Sequence, residues 1–149
     1  MMNTDIIHEN DITPERIEQI FIKAQAPFTR DSGDDFKITT PKGNHVYLSV
    51  LSPCRMIRFQ CGFMAPSGHS RETLLNAVNK LNDDYVFASF FLGKHPAMIL
   101  AKYYLLCWDW ITETQVIKCL MQLDAVTIQA KHELPELLAA LTAREAEGL

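Results

Sequence analysis

The chain has 149 residues, 48% hydrophobic and 21% charged, with a formal net charge of −4. That length suffices for one domain with a sizeable core, and that composition is the profile of an ordinary soluble globular protein. The acidic balance argues against nucleic acid as the main partner, because phosphate backbones need a positive surface, and no stretch approaches the roughly 20 apolar residues of a membrane span.

Residues 1–12 read as a loose lead-in, although Ile6, Ile7 and Ile12 could pack. The N-terminus is acidic and lacks the charged-then-apolar pattern of a signal peptide, so a cytoplasmic location is expected. Thr13-Pro14-Glu15 predicts a helix start: an N-cap hydroxyl, proline at the first helical position and a carboxylate at the positive end of the dipole. Ile17, Ile20, Phe21 and Ala24 form its apolar stripe, and Pro27 stops it at or before Ala26. Phe28 to Asp35 reads as a polar connection. Three strands are then expected in quick succession, Phe36 to Thr40, His45 to Leu51 and Met56 to Phe63. Their separating turns, Pro41-Lys42-Gly43-Asn44 and Ser52-Pro53, are short enough to require antiparallel neighbours.

Ser70 is the expected N-cap of a second helix with Leu74, Ala77, Val78 and Leu81 on one stripe. Asn82-Asp83-Asp84 ends it, since short polar side chains favour turns. Tyr85 to Leu92 and Ala97 to Trp108 then form a hairpin around Gly93-Lys94-His95-Pro96. The second of these strands is apolar on both faces, with Lys102 its single charge. Thr112-x-x-Gln115 is a capping box, with Ile111 and Val116 placed as a hydrophobic staple. The helix it opens runs through Val116, Leu120, Leu123 and Val126 to about Lys131. Pro135 should end or kink it before one more short helix over Leu134 to Leu141, and the tail TAREAEGL should fray.

No catalytic constellation stands out. His8, His45, His69, His95 and His132 are scattered, and a Cys61–His69 pair falls short of the three or four ligands a metal site needs. Cys54, Cys61, Cys107 and Cys119 contain no CxxC pair, and three of them lie in apolar company, where free cysteine acts as a small hydrophobe in a reducing compartment. Asp83-Asp84 is a solvated turn before it is a carboxylate pair. Ser67-Gly68-His69-Ser70 lacks the G-x-S-x-G of a nucleophile elbow. Lys42, Arg55 and Arg58 could make a local basic patch, but Arg58 alternates with Ile57 and Phe59 as a solvated sheet face does. The expectation is therefore a protein that is not an enzyme and uses no cofactor or metal.

The segment LLNAVNKLNDDYVFASFFLGKHPAMILAKYYLL, followed by Ile111-Thr112-Glu113 and a long amphipathic helix, resembles the YbjN-type family of small bacterial proteins, described as sensory-transduction regulators. The resemblance is strongest from Ala77 to about Leu123. The family is similar in fold to type III secretion chaperones, acidic α+β homodimers that bind an extended segment of a secreted client. The basic turn Gly93-Lys94-His95-Pro96 departs from that pattern, where acidic residues are expected. The resemblance carries over no catalytic residues.

Together these readings predict a single α+β domain over residues 1–149, an antiparallel sheet packed against helices in the order α-β-β-β-α-β-β-α, like a type III secretion chaperone. Its expected role is a non-enzymatic, dimeric regulatory or chaperone-like protein-binding module, with a dedicated secretion chaperone as the alternative. The expected partners are a second copy and a protein client, with neither nucleic acid nor membrane. The expected interface is Met98, Leu100, Tyr104, Leu106, Trp108 and Trp110, because leaving that face open would expose a larger apolar patch than monomers tolerate. Residue phase alone leaves the opposite face, with Ile99, Tyr103 and Leu105, able to take its place.

Overall fold

A computed structural model describes residues 5–148; residues 1–4, part of the expected lead-in, and residue 149 of the tail lie outside the described residues. The elements are β1 (Ile6–His8), α1 (Pro14–Lys23), β2 (Phe28–Arg30), β3 (Asp35–Thr39), β4 (His45–Leu51), β5 (Met56–Met64), α2 (Arg71–Asp84), β6 (Ser89–Leu92), β7 (Met98–Leu106), β8 (Trp110–Thr112) and α3 (Glu113–Glu147). This is an α+β protein whose described strands pair antiparallel. The chain divides into two compact units, Met1–Gln60 with Tyr103–Asp124, and Cys61–Lys102 with Ala125–Leu149. β5, β7 and α3 each contribute residues to both.

In the first unit the strands hydrogen-bond in the order β2-β3-β4-β5-β7, and β1 pairs separately with β8. Alternation sorts the sheet into two faces. Phe36, Ile38, Val46, Leu48, Ile57 and Phe59 are buried, while Asp35, Lys37, His45 and Tyr47 are exposed. α1 starts as its residues dictate: Thr13 Oγ1 accepts from the Arg16 N–H at 3.2 Å. It buries Ile17, Ile20 and Phe21, and the Phe21 ring meets those of Phe28 and Phe36, each 5.8 Å away.

In the second unit the order is β5-β7-β6. Ser70 caps α2 by accepting the Thr73 N–H at 3.1 Å. Leu74, Ala77, Val78 and Leu81 are buried from α2, as are Cys61, Phe63, Phe90, Ile99 and Ala101 from the strands. Late in α2 the Asn82 side chain bonds β6: its Nδ2 donates to the Phe90 carbonyl at 2.9 Å and its Oδ1 accepts the Phe90 N–H at 2.7 Å. With Asn82 spending both amide groups there, β6 begins at Ser89 rather than Tyr85, and Val86 is 99% exposed.

Several expectations need correction. The lead-in is not loose over Ile6–His8, which pair with Trp110–Thr112 as β1. The polar connection contains β2, paired with Ile38, Lys37 and Phe36 of β3. α3 neither stops near Lys131 nor breaks at Pro135, but runs to Glu147. Proline leaves only the Lys131 carbonyl without its helical donor, and Lys131, His132 and Glu133 are exposed to water. Leu134 and Leu138 meanwhile continue the buried stripe of Ala130. The tail stays helical because Thr73 Oγ1, in the second unit, donates to the Glu145 carboxylate at 3.0 and 3.1 Å.

Candidate association surface

The inward face of β7 is Ile99, Ala101 and Leu105, all buried, with Cys107 just beyond the strand. The opposite phase therefore faces outward. In the first unit it carries Tyr104, 43% exposed, and Leu106, 49% exposed. Beyond them Trp108 and Trp110 are 67% and 54% exposed. Four large apolar side chains, three of them aromatic, are thus exposed within seven residues of chain, and Tyr47 of β4 adds a fourth exposed ring in the same unit.

The turn that carries the tryptophans is held in place. The Trp110 N–H donates to the Trp108 carbonyl at 2.7 Å around Asp109, whose φ is 62°. A three-residue turn with a positive central φ is rare and strained, and Asp tolerates the left-handed region better than most residues. Glu9 clamps it from outside. Its N–H donates to the Asp109 carbonyl at 2.9 Å, and its carboxylate accepts the Asp109 N–H at 3.3 Å and Arg55 Nη1 at 3.0 Å. The Cys107 N–H donates to the Arg55 carbonyl at 2.8 Å. Burial pushes the Cys107 thiol up to about 11.

Met98 and Leu100, in the second unit, are half-buried. A Cβ at Gly62 would lie 2.7 Å from Leu100 Cδ2, so the absence of a side chain on β5 there lets Leu100 settle onto the sheet. The Lys102 ammonium sits 4.3 Å over the Phe91 ring, a cation–π contact that leaves its charge at the rim.

A second feature of the first unit went unread. β2 is an edge strand. The bonds from the Thr39 N–H to the Pro27 carbonyl and from the Asp31 N–H to the Asp35 carbonyl turn alternate residues toward β3. The N–H and C=O groups of Phe28 and Arg30 consequently point to the open edge. The Arg30 side chain is tied back to Glu15 at 3.1 Å and Glu18 at 3.2 Å. Next to this edge lies an apolar cavity of about 270 Å³ lined by Pro27, Phe21, Ile38, Ile117, Leu120 and Met121. The available signal was Phe-Thr-Arg between Pro27 and the turn Asp31-Ser32-Gly33, in which the Gly33 N–H donates to Asp31 Oδ1 at 2.8 Å.

Among the described residues no three His, Cys, Asp or Glu side chains gather where they could hold a metal, and no helix is long and apolar enough to cross a membrane. Lys42, Arg55 and Arg58 make no common patch: Arg55 pairs with Glu9, and Arg58 Nη2 donates to Ser49 Oγ at 3.1 Å.

An antiparallel sheet with helices against its buried face is the fold class these elements define. The model of the YbjN family, described as "Putative bacterial sensory transduction regulator", matches residues 13–136, and the chain belongs to that family. Among solved structures it is similar to E. coli YbjN, described as "a putative transcription regulator", at 9% identity and a TM-score of 0.62, covering 82% of this chain and 91% of that one. It is also similar to a chain of the HopA1-SchA chaperone-effector complex, at 9% identity and a TM-score of 0.58, covering 78% of this chain and 90% of that one. At such identities the likeness is one of fold. No curated protein matches in sequence.

Proposed function

We propose that this protein is a non-enzymatic regulatory or chaperone-like module of the cytoplasm that acts by association, burying Tyr104, Leu106, Trp108 and Trp110 against a second copy of itself. The carrying observation is the clamped turn. A strained turn that displays two tryptophans and is tied down by Glu9 keeps apolar surface outside at a conformational cost, and aromatic side chains fixed in this way are what interfaces use as anchors. Sedimentation at micromolar concentration should give a dimer, and Leu106→Glu should give a monomer with an unchanged circular dichroism spectrum. A monomer mass for the unmodified protein overturns the reading. Leu106 is a better probe than Leu100, whose side chain packs on the backbone of Gly62.

The open edge of β2 favours a second reading, in which an extended client adds a strand at Phe28 and Arg30 and sets a side chain in the neighbouring apolar cavity. Strand addition draws affinity from main-chain hydrogen bonds and specificity from such pockets. The chaperone-effector complex with a similar fold supports it by analogy. A bound client should slow hydrogen exchange at the Phe28 and Arg30 amides; protection elsewhere alone would count against it.

A further inference from the structure

The exposed sheet face of the first unit carries a polar pocket that neither reading above uses. It has a volume of about 210 Å³, roughly the share of seven water molecules in the liquid, and is lined by Asp31, Asp35, Tyr47, Ser49, Arg58 and Gln60. The strand register explains why these meet: Asp35 lies opposite Ser49, Ser49 opposite Arg58, and Tyr47 opposite Gln60. Ser49 Oγ accepts from Arg58 Nη2 at 3.1 Å and so orients the guanidinium. Arg58 Nε is buried and has no hydrogen-bond partner. A buried donor without an acceptor costs stability.

Two carboxylates line the same small space, yet neither pairs with Arg58, whose one side-chain bond goes to Ser49. Asp31 spends one oxygen on the Gly33 N–H. Opposite charges that share a pocket without touching leave room for a molecule carrying both. A bare anion would suit the guanidinium fork but meet repulsion from Asp31 and Asp35. A bare cation would suit the carboxylates but leave Arg58 Nε unpaired.

We propose that this pocket binds a small zwitterion of the α-amino-acid class, with its carboxylate on the Nε–Nη edge of Arg58 and its ammonium group against Asp35 and Asp31. The volume limits the ligand to a short side chain, and Tyr47 and Gln60 flank it. Such a site would give the module a metabolite to sense.

The test follows the Arg58 Nε–H signal by nitrogen-15 NMR while glycine, L-alanine and L-serine are added to the full chain at millimolar concentration. Acetate, inorganic phosphate and methylammonium serve as comparisons. At least one amino acid should shift the signal saturably, with acetate, phosphate and methylammonium roughly tenfold weaker or more. Asp35 is exposed, so Asp35→Asn should fold normally; it should weaken the amino acid and spare acetate. Arg58→Gln, checked for folding by circular dichroism, should abolish amino-acid shifts at the surrounding amides. The proposal falls if none of the three amino acids shifts the signal, or if acetate or phosphate matches them, which marks a plain anion site. It falls equally if the signal moves with protein concentration alone, because a second copy would then be supplying the carboxylate.

Discussion

Thr112 and Gln115 exchange two bonds at the start of α3: Thr112 Oγ1 accepts the Gln115 N–H at 3.0 Å, and Gln115 Oε1 accepts the Thr112 N–H at 2.7 Å. Thr112→Ala should lower stability by about 1 kcal/mol, seen as a lower urea midpoint at unchanged slope. Such local devices were legible because their partners lie three residues apart. The groups that reinforce this cap were not. Asp5 accepts the Glu113 N–H at 2.8 Å and the Thr114 N–H at 3.1 Å, and Arg16 and Lys23 grip the Glu113 carboxylate at 2.7 and 3.1 Å. Burial pushes the Glu113 carboxyl up, but its hydrogen bonds to Arg16 and Lys23, and their charges, hold it below the ordinary 4.5. A group depressed in the folded state stabilises above its unfolded value and loses that contribution as pH falls through the folded one. Glu113→Gln should therefore cost stability at neutral pH, and the gap between the two proteins should close in acid melts below about pH 4.5. Cysteine reactivity follows burial in the same way. Cys54 is exposed, while Cys107 is buried with a raised pKa. Iodoacetamide at pH 8 should label Cys54 and leave Cys107 untouched, as read by peptide mass.

At the scale of elements, length decided what could be read. The long strands and all three helix starts carry enough periodic residues to declare themselves. β1, β2 and β8 have three residues each, too few for alternation to register, and they exist because a partner strand supplies their bonds. In native-state exchange the Phe28 and Arg30 amides should therefore exchange faster than that of Thr29, which faces β3. Pro135 misled in the opposite direction. A proline rule weighs one lost bond, whereas the stripe through Leu134 and Leu138 weighs two buried leucines. Pro135→Ala should restore the bond to the Lys131 carbonyl and raise stability by about 2 kcal/mol in thermal melts, less whatever the freer unfolded chain takes back.

For the molecule as a whole, the apolar character of both faces of β7 was plain from residues alone, but the inward face was not. It took the buried Ile99, Ala101 and Leu105 to decide it, and with them the outward set of Tyr104 and Leu106. The polar pocket at Arg58 was illegible because three strands assemble it. A filament that grows strand by strand needs two reactive ends on every unit, like a bifunctional monomer. Asn82 occupies the outward N–H and C=O of Phe90, in the middle of β6, and so caps one of them. A copy that joins another through Phe28 and Arg30 finds the Phe90 groups of β6 already occupied, and strand-by-strand growth does not continue there. Asn82→Ala would return the missing functionality. Light scattering of that variant, concentrated and held for days, should climb steadily where the unmodified chain stays flat.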